Sequence, residues 1–333
     1  MNPRNLIPVC VVIALYLAPA AAGQDAPSPK TSSSRHWSMP RTPDGQPDLQ
    51  GIWTNGTITP FERPRDLAGK PYFTQEEAAE YEKRVLDQNN RDRRGKNAEE
   101  DVAGAYNEFW FDRGTKVVST LRTALVIDPP DGRVPALTPE AQKAAASRDA
   151  ISRRLPEGPE DMDLPVRCLL WPTAGPPMLP SAYNNNYRIL QVRGYVVMLI
   201  EMIHDVRIIP LDGRPHLSAN GRQWMGDPRG HWEGDMLVVD TTNFTNKTHF
   251  RGADENLHLV ERFKRTGPNT ILYQFTVDDP TAFTKSWTGE VPFTRSTAPM
   301  FEYACHEGNY SMVNMLRGAR AQEKAEALKK ETK

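Results

Sequence analysis

Short apolar runs alternate with turn signals between residues 186 and 295. The runs are rich in Val, Ile, Leu and aromatic residues, and Gly, Asn, Asp or Pro stands between them, as at 193–194, 212–213 and 266–269. Such turns accommodate the backbone of hairpins, and regular spacing of short strands is typical of sandwiches and barrels. The pattern therefore predicts a mainly β fold with an antiparallel, barrel-like sheet.

Two Gly-x-Trp tripeptides open strand-like runs, Gly51-Ile-Trp53 and Gly230-His-Trp232. In small up-and-down barrels a tryptophan at such a position often closes one end. The two tripeptides therefore suggest a lipocalin-like closure of the predicted sheet.

Helix signals flank this β-rich region. Thr74 and Glu77 form a capping-box pattern, and Thr138 followed by Pro139 starts a second helix that runs to about residue 154. Both helices fall in an insertion at about 74–156. A third helix, rich in Ala, Glu and Lys, is predicted from about residue 311 to about residue 330.

The N-terminal residues have the pattern of an export signal. A basic residue at Arg4, an apolar run at 6–17 and alanines at 20–22 predict a signal peptide over residues 1–22. The alternative is a retained anchor, for which the apolar run is short. Residues 23–48 are rich in Ser, Pro, Gln and Asp and are predicted to form a flexible leader, and residues 49–333 a single domain.

Removal of the signal would leave Cys168 and Cys305, which we predict to pair as a disulfide in an oxidising compartment. Two separate buried thiols are the alternative. The 41 basic and 42 acidic residues give a net charge of −1, so nothing predicts a nucleic-acid partner, and no other apolar run predicts a membrane span. The sequence leaves the oligomeric state open.

Alternation along the predicted strands places some ionisable residues on apolar faces. His204 falls in a row with Val206 and Ile208, and Glu261 falls in a row with Leu259. A carboxyl in apolar surroundings has a raised pKa, which suits a general acid or base near neutral pH. The structural alternative for Glu261 is a buried carboxylate paired with an arginine or a backbone amide, and that for His204 is a hydrogen-bonded core histidine.

The densest reactive run is 301–309, which contains a phenol, a thiol, an imidazole, an amide and two carboxylates. We expect Glu261 and His306 to transfer protons and Glu307 to orient His306, with His204 as a further catalytic candidate. The alternative for the run is a disulfide-anchored corner with no chemical role. The predicted substrate-binding residues are Tyr183, Asn185, Arg207, Asp240, Arg262 and Asn309.

The usual closely spaced zinc motifs are absent from the sequence. A divalent metal would need His204, Asp240, His306 and Glu307 to converge through the fold. No cofactor is predicted, and the expected partner is a small molecule.

Several motifs together resemble a large family of exported bacterial proteins of unassigned function. They are Pro47-Asp-Leu-Gln-Gly-Ile-Trp53, Tyr183-Asn-Asn185, His204-Asp-Val-Arg-Ile-Ile-Pro-Leu-Asp-Gly-Arg-Pro-His216 and Glu302-Tyr-Ala-Cys-His-Glu-Gly-Asn309. The resemblance implies an exported, periplasmic or secreted, single-domain protein. It implies no substrate, cofactor or catalytic residue.

The sequence favours an exported hydrolase or lyase that acts by acid–base chemistry on a small polar or ring-containing molecule. A lipocalin-like periplasmic carrier of a small amphipathic ligand is the main alternative, and it requires an open cavity beside His204 and Glu261. A structural envelope protein with a closed core is a third interpretation.

Overall fold

A computed structural model describes residues 37–93, 95–103 and 107–331. The predicted signal peptide and most of the predicted leader lie outside these residues. The described part contains ten strands, which are β1 Gly51–Thr54, β2 Val126–Asp128, β3 Asn186–Val192, β4 Tyr195–Ile200, β5 Val206–Pro210, β6 Asp227–Glu233, β7 Met236–Thr242, β8 His258–Gly267, β9 Thr270–Asp278 and β10 Trp287–Arg295.

All ten strands belong to one sheet. Nine of them follow the order β5-β4-β3-β1-β10-β9-β8-β7-β6 with antiparallel pairing throughout, and β2 pairs with β10. The sheet curls until its two end strands, β5 and β6, contact each other. The mainly β, antiparallel, barrel-like fold predicted from the turn spacing is confirmed.

The relative direction of β5 and β6, where the sheet closes, follows from the number of strands. Nine strands that alternate in direction leave the first and the last pointing the same way, so β5 and β6 run parallel. Strands β5 and β6 pack so closely that there is no room for a side chain at Gly230. A Cβ atom there would lie 2.7 Å from both Ile209 Cγ2 and Leu211 Cδ2. A parallel pair cannot be joined by a tight hairpin. Residues 211–226, which we call the crossover loop, make the connection.

Side chains fill the interior of the barrel. Eight of the nine strands of this path contribute buried side chains to the core, which includes the fully buried Trp53, Met198, Phe263 and Phe293, and β6 packs the partly buried Trp232 against it. The Trp53 indole donates to Leu49 O at 2.8 Å. These side chains form one hydrophobic cluster inside the sheet.

The helices occupy the predicted positions. They are α1 Gln75–Asn89, α2 Ala98–Ala103, α3 Pro139–Ser152 and α4 Tyr310–Glu331. Thr74 and Glu77 form the predicted capping box, and Thr138 caps α3. The short helix α2 was not predicted.

The predicted alternation beyond β4 is wrong. The chain makes a 3₁₀ turn at Met202–His204, with Ile203 at a φ of 61°, before β5 begins. The turn changes which residues of β5 point inward, relative to the alternation continued from β4. Arg207 and Ile209 therefore point into the barrel and are buried. Val206 and Ile208 point outward and are 46% and 57% exposed.

Cys168 and Cys305 form the predicted disulfide, with their Cα atoms 5.8 Å apart. The bond ties the segment before β3 to the segment before α4 across 137 residues. Among the described residues, no helix combines the length and the apolar character needed to cross a membrane.

Candidate functional site

Glu261 lies inside the barrel rather than in an open site. Its carboxylate pairs with Arg207, which donates from both terminal nitrogens, one of them at 3.0 Å from Oε1, and both side chains are almost fully buried. The Tyr273 hydroxyl donates to Glu261 Oε1 at 2.8 Å and accepts from Met178 N at 3.0 Å. Strand alternation placed Glu261 on the apolar face, and the 3₁₀ turn before β5 turns Arg207 toward it.

The electrostatics of this group favour a fixed ion pair. Burial alone would lower the pKa of Arg207, but the charge and hydrogen bonds of Glu261 outweigh that effect and raise it. Burial and the Glu261 charge raise the pKa of Tyr273 well above its ordinary value. The Glu261 side chain is 0% exposed, so it does not contact solvent. The environment corresponds to the structural alternative, a buried Glu paired with an Arg.

Asp240 belongs to a second polar cluster, on the outer face of β6, β7 and β8. It lies between two histidines, 2.7 Å from His258 Nε2 and 3.0 Å from His216 Nε2. The other nitrogen of His216 is 3.3 Å from Asp227, which also accepts from Arg229 and from Leu217 N. The cluster therefore attaches the crossover loop, through His216, to the strands beneath it.

Charge pairing stabilises this cluster. Burial opposes ionisation of Asp240, yet the hydrogen bonds and charges of His258 and His216 lower its pKa. The hydrogen bond to Asp240 raises the pKa of His258. Asn243 adds hydrogen bonds to the carbonyl oxygens of Leu217 at 3.1 Å and Ser218 at 2.8 Å. These contacts suit a role in holding the loop.

Two of the predicted residues, Glu307 and Asn309, line a pocket of about 540 Å³ that lies beside the disulfide and opens to solvent. We call it the corner pocket. The Asn309 side chain donates to Val166 O at 2.9 Å and lies 3.4 Å from Cys168 Sγ, so it joins the two disulfide-linked segments. The lining residues used below are Trp171, Asn184, Glu302, Tyr303, Glu307 and Asn309.

Aromatic rings form one wall of the corner pocket. The Trp171 ring centroid lies 6.4 Å from that of Tyr303 and 6.2 Å from that of Tyr183, which supports the wall from the side. All three side chains are partly buried and pack against the main core. Rings fixed in this way offer a flat surface on which a ligand ring can stack.

Asn185 supports the pocket from behind. It is 1% exposed, its Nδ2 donates to Asp112 and to Ser181 O, and its Oδ1 accepts from Ser181 N at 2.7 Å. Burial and the nearby charge of Glu201 raise the pKa of Asp112, and hydrogen bonds from Asn185 only partly offset them. The structure therefore places Asn185 within the protein framework, where it holds the 181–185 loop, and not on the pocket surface.

Three predicted residues lie apart from the pocket or are only partly described. Arg262 lies on the outer face of β8, opposite Val238 and Gln274 on the adjacent strands. His204 belongs to the 3₁₀ turn, and its side chain lies outside the described part of the structure. His306 is exposed next to Cys305 and beside Glu307, which lines the pocket. In the part of the chain that the structure describes, no group of three or more His, Cys, Asp or Glu residues is arranged to hold a metal ion.

Trp171 is the residue of this site that sequence reasoning missed. It lies three residues after Cys168, and the disulfide brings that segment to the run 301–309. Proximity to a paired cysteine was the signal that could have found it. Glu302 and Tyr303 belong to the run that was singled out, but no role was assigned to them.

Comparison of the chain with protein-family models, with curated proteins and with solved structures gave no match. The resemblance to a family of exported bacterial proteins therefore stays a prediction from the motifs.

Proposed function

We propose that the protein is exported and that it binds a small, ring-containing polar molecule in the corner pocket, on which it acts by acid–base chemistry. The observation that carries this proposal is the combination of an aromatic wall with two exposed carboxylates in one pocket. Trp171 and Tyr303 provide the wall, and Glu302 and Glu307 line the same space. The volume of about 540 Å³ is in the range of small-molecule sites.

The chemistry needs groups that exchange protons at a bound molecule. One carboxylate can accept a proton while a second group returns one, which is the usual division of work in acid–base catalysis. Glu307 and His306 are adjacent in the chain, and Glu302 is on the same segment. This proposal retains Glu307 and, beside it on the exposed chain, His306, which does not itself line the pocket. It replaces Glu261 by Glu302, because Glu261 is enclosed in the barrel.

Export is supported by two independent features. The residues at 1–22 have a signal-peptide pattern, and Cys168 and Cys305 form a disulfide, which persists in oxidising compartments. The carrier alternative would need a cavity inside the barrel, where the buried side chains form one hydrophobic cluster.

The test separates binding from turnover. A panel of small hydroxylated and aromatic molecules would be titrated into the mature protein and followed by NMR, which reports both binding and chemical change. We expect Trp171→Ala to weaken binding at least tenfold and Glu307→Gln to abolish turnover while binding is retained. Trp110→Ala is the control, because Trp110 is 59% exposed and lies outside the pocket. Equal binding by Trp171→Ala and the native protein would overturn the proposal.

A further inference from the structure

The corner pocket carries two negative side chains without a compensating basic one. Glu302 and Glu307 line it, and the described residues that line it include no Lys, Arg or His. Its other polar lining side chains are amides, at Asn184 and Asn309, and hydroxyls, at Tyr303 and Ser311. Two carboxylates that line one pocket create a negative potential there.

Further carboxylates lie behind the pocket wall. Glu201 is 3% exposed, and its oxygens accept from Asn186 Nδ2 at 2.8 Å and from Phe301 N at 2.9 Å. Phe301 immediately precedes Glu302, so Glu201 supports the segment that lines the pocket. Asp112 is close enough for the charge of Glu201 to raise its pKa. In the part of the chain that the structure describes, both carboxylates accept hydrogen bonds from amide groups and neither forms an ion pair.

One structural element opposes this negative potential. Helix α4 begins at Tyr310 beside the pocket, and a helix N-terminus is equivalent to roughly half a positive charge. The two lining carboxylates together exceed that partial charge about fourfold, and Glu201 adds to them. The net potential in the pocket is therefore negative.

We propose that the ligand of the corner pocket carries a positive charge next to its ring, as an amine or an ammonium group. The inference rests on the proposed function and narrows its ligand class. The cationic group would lie between Glu302 and Glu307, and the ring would stack on Trp171 or Tyr303. Aromatic faces attract cations as well as rings, so the wall and the carboxylates favour the same ligand.

The test compares ring compounds that differ only in charge. The probes are 2-phenylethylamine, 2-phenylethanol and phenylacetate, and the indole set tryptamine, tryptophol and indole-3-acetate, each titrated into the mature protein by NMR. We expect the amine of each set to bind at least tenfold more tightly than the alcohol, and the carboxylate to bind most weakly. Added NaCl should weaken the binding of the amine and leave that of the alcohol unchanged.

Variants test whether the two carboxylates cause the preference for the amine over the alcohol. Glu302→Gln/Glu307→Gln should remove the advantage of the amine and keep binding of the alcohol, whereas Glu326→Gln, a change on the exposed face of α4, should leave it intact. If alcohol and amine bind equally, or the carboxylate binds best, the charge inference is overturned and the ring-binding proposal stands. If no ring compound binds in either set, both are overturned.

Discussion

The Arg207–Glu261–Tyr273 group shows how one residue's surroundings decide between a chemical and a structural role. Two charged side chains are buried together, and each oxygen of the carboxylate is hydrogen-bonded. Removing both charges from water is costly, and the ion pair and the tyrosine hydroxyl offset that cost only while all partners are present. The group is therefore sensitive to the loss of any one member.

Glu261→Gln should lower the free energy of unfolding by about 3–5 kcal/mol, because it leaves the Arg207 charge buried without a counter-ion. Arg262→Met is the matched control. Arg262 is the next residue on β8 and points to the outer face, so we expect a change below about 0.5 kcal/mol. Urea unfolding of both variants checks the prediction. A native-like stability in Glu261→Gln would mean that the ion pair contributes nothing to the fold.

At the scale of elements, the strand pattern and the helix caps were predictable because they depend on neighbouring residues. The alternation along β8 placed Glu261 inward, and Thr74 and Thr138 predicted the starts of α1 and α3. The faces of β5 were not predictable in the same way. They depend on the 3₁₀ turn at Met202–His204, and the sequence there offers no Gly, Asn or Pro to signal an interruption.

The reversal at this turn gives two adjacent residues opposite roles. Ile209→Ala should cost about 2–5 kcal/mol, since Ile209 is 0% exposed, whereas Ile208→Ala should cost less than about 1 kcal/mol, since Ile208 is 57% exposed. The two residues have the same side chain and the same strand, so strand propensity cancels in the comparison. Thermal and urea unfolding would measure both. Continuous alternation from β4 would give the opposite ranking.

At the scale of the whole molecule, the candidate site depends on contacts between segments far apart in the chain. The corner pocket takes Trp171 from one side of the disulfide and Glu302 and Glu307 from the other. Residue types alone indicated the run 301–309 and the cysteine pair. They did not indicate which other predicted residues would join them, because Arg207, Asp240 and Glu261 are directed elsewhere by the barrel.

The disulfide Cys168–Cys305 should contribute both to stability and to the shape of the pocket. It closes a loop of 137 residues, for which the chain-entropy model gives about 5 kcal/mol, and measured losses are typically about 2–5 kcal/mol. We expect Cys168→Ala/Cys305→Ala to lower the free energy of unfolding by that amount and to retain the β-sheet circular dichroism, because β3 to β10 pair without help from the bond.

Measurements on the wild-type protein in reductant distinguish the effect of the S–S bond from that of the two sulfur atoms, which the double variant also removes. The reduced protein should lose as much stability as the double variant, and both should show faster hydrogen exchange at 301–309 than the oxidised wild-type protein does, with exchange in β8 and β9 much less affected. The reason is local: the run 301–309 forms no strand, and the disulfide and the Asn309 side chain are its main attachments to the 165–168 segment. If reduction left both the unfolding free energy and this exchange unchanged, the pocket wall would be held by packing alone, and the bond would have no part in shaping the site.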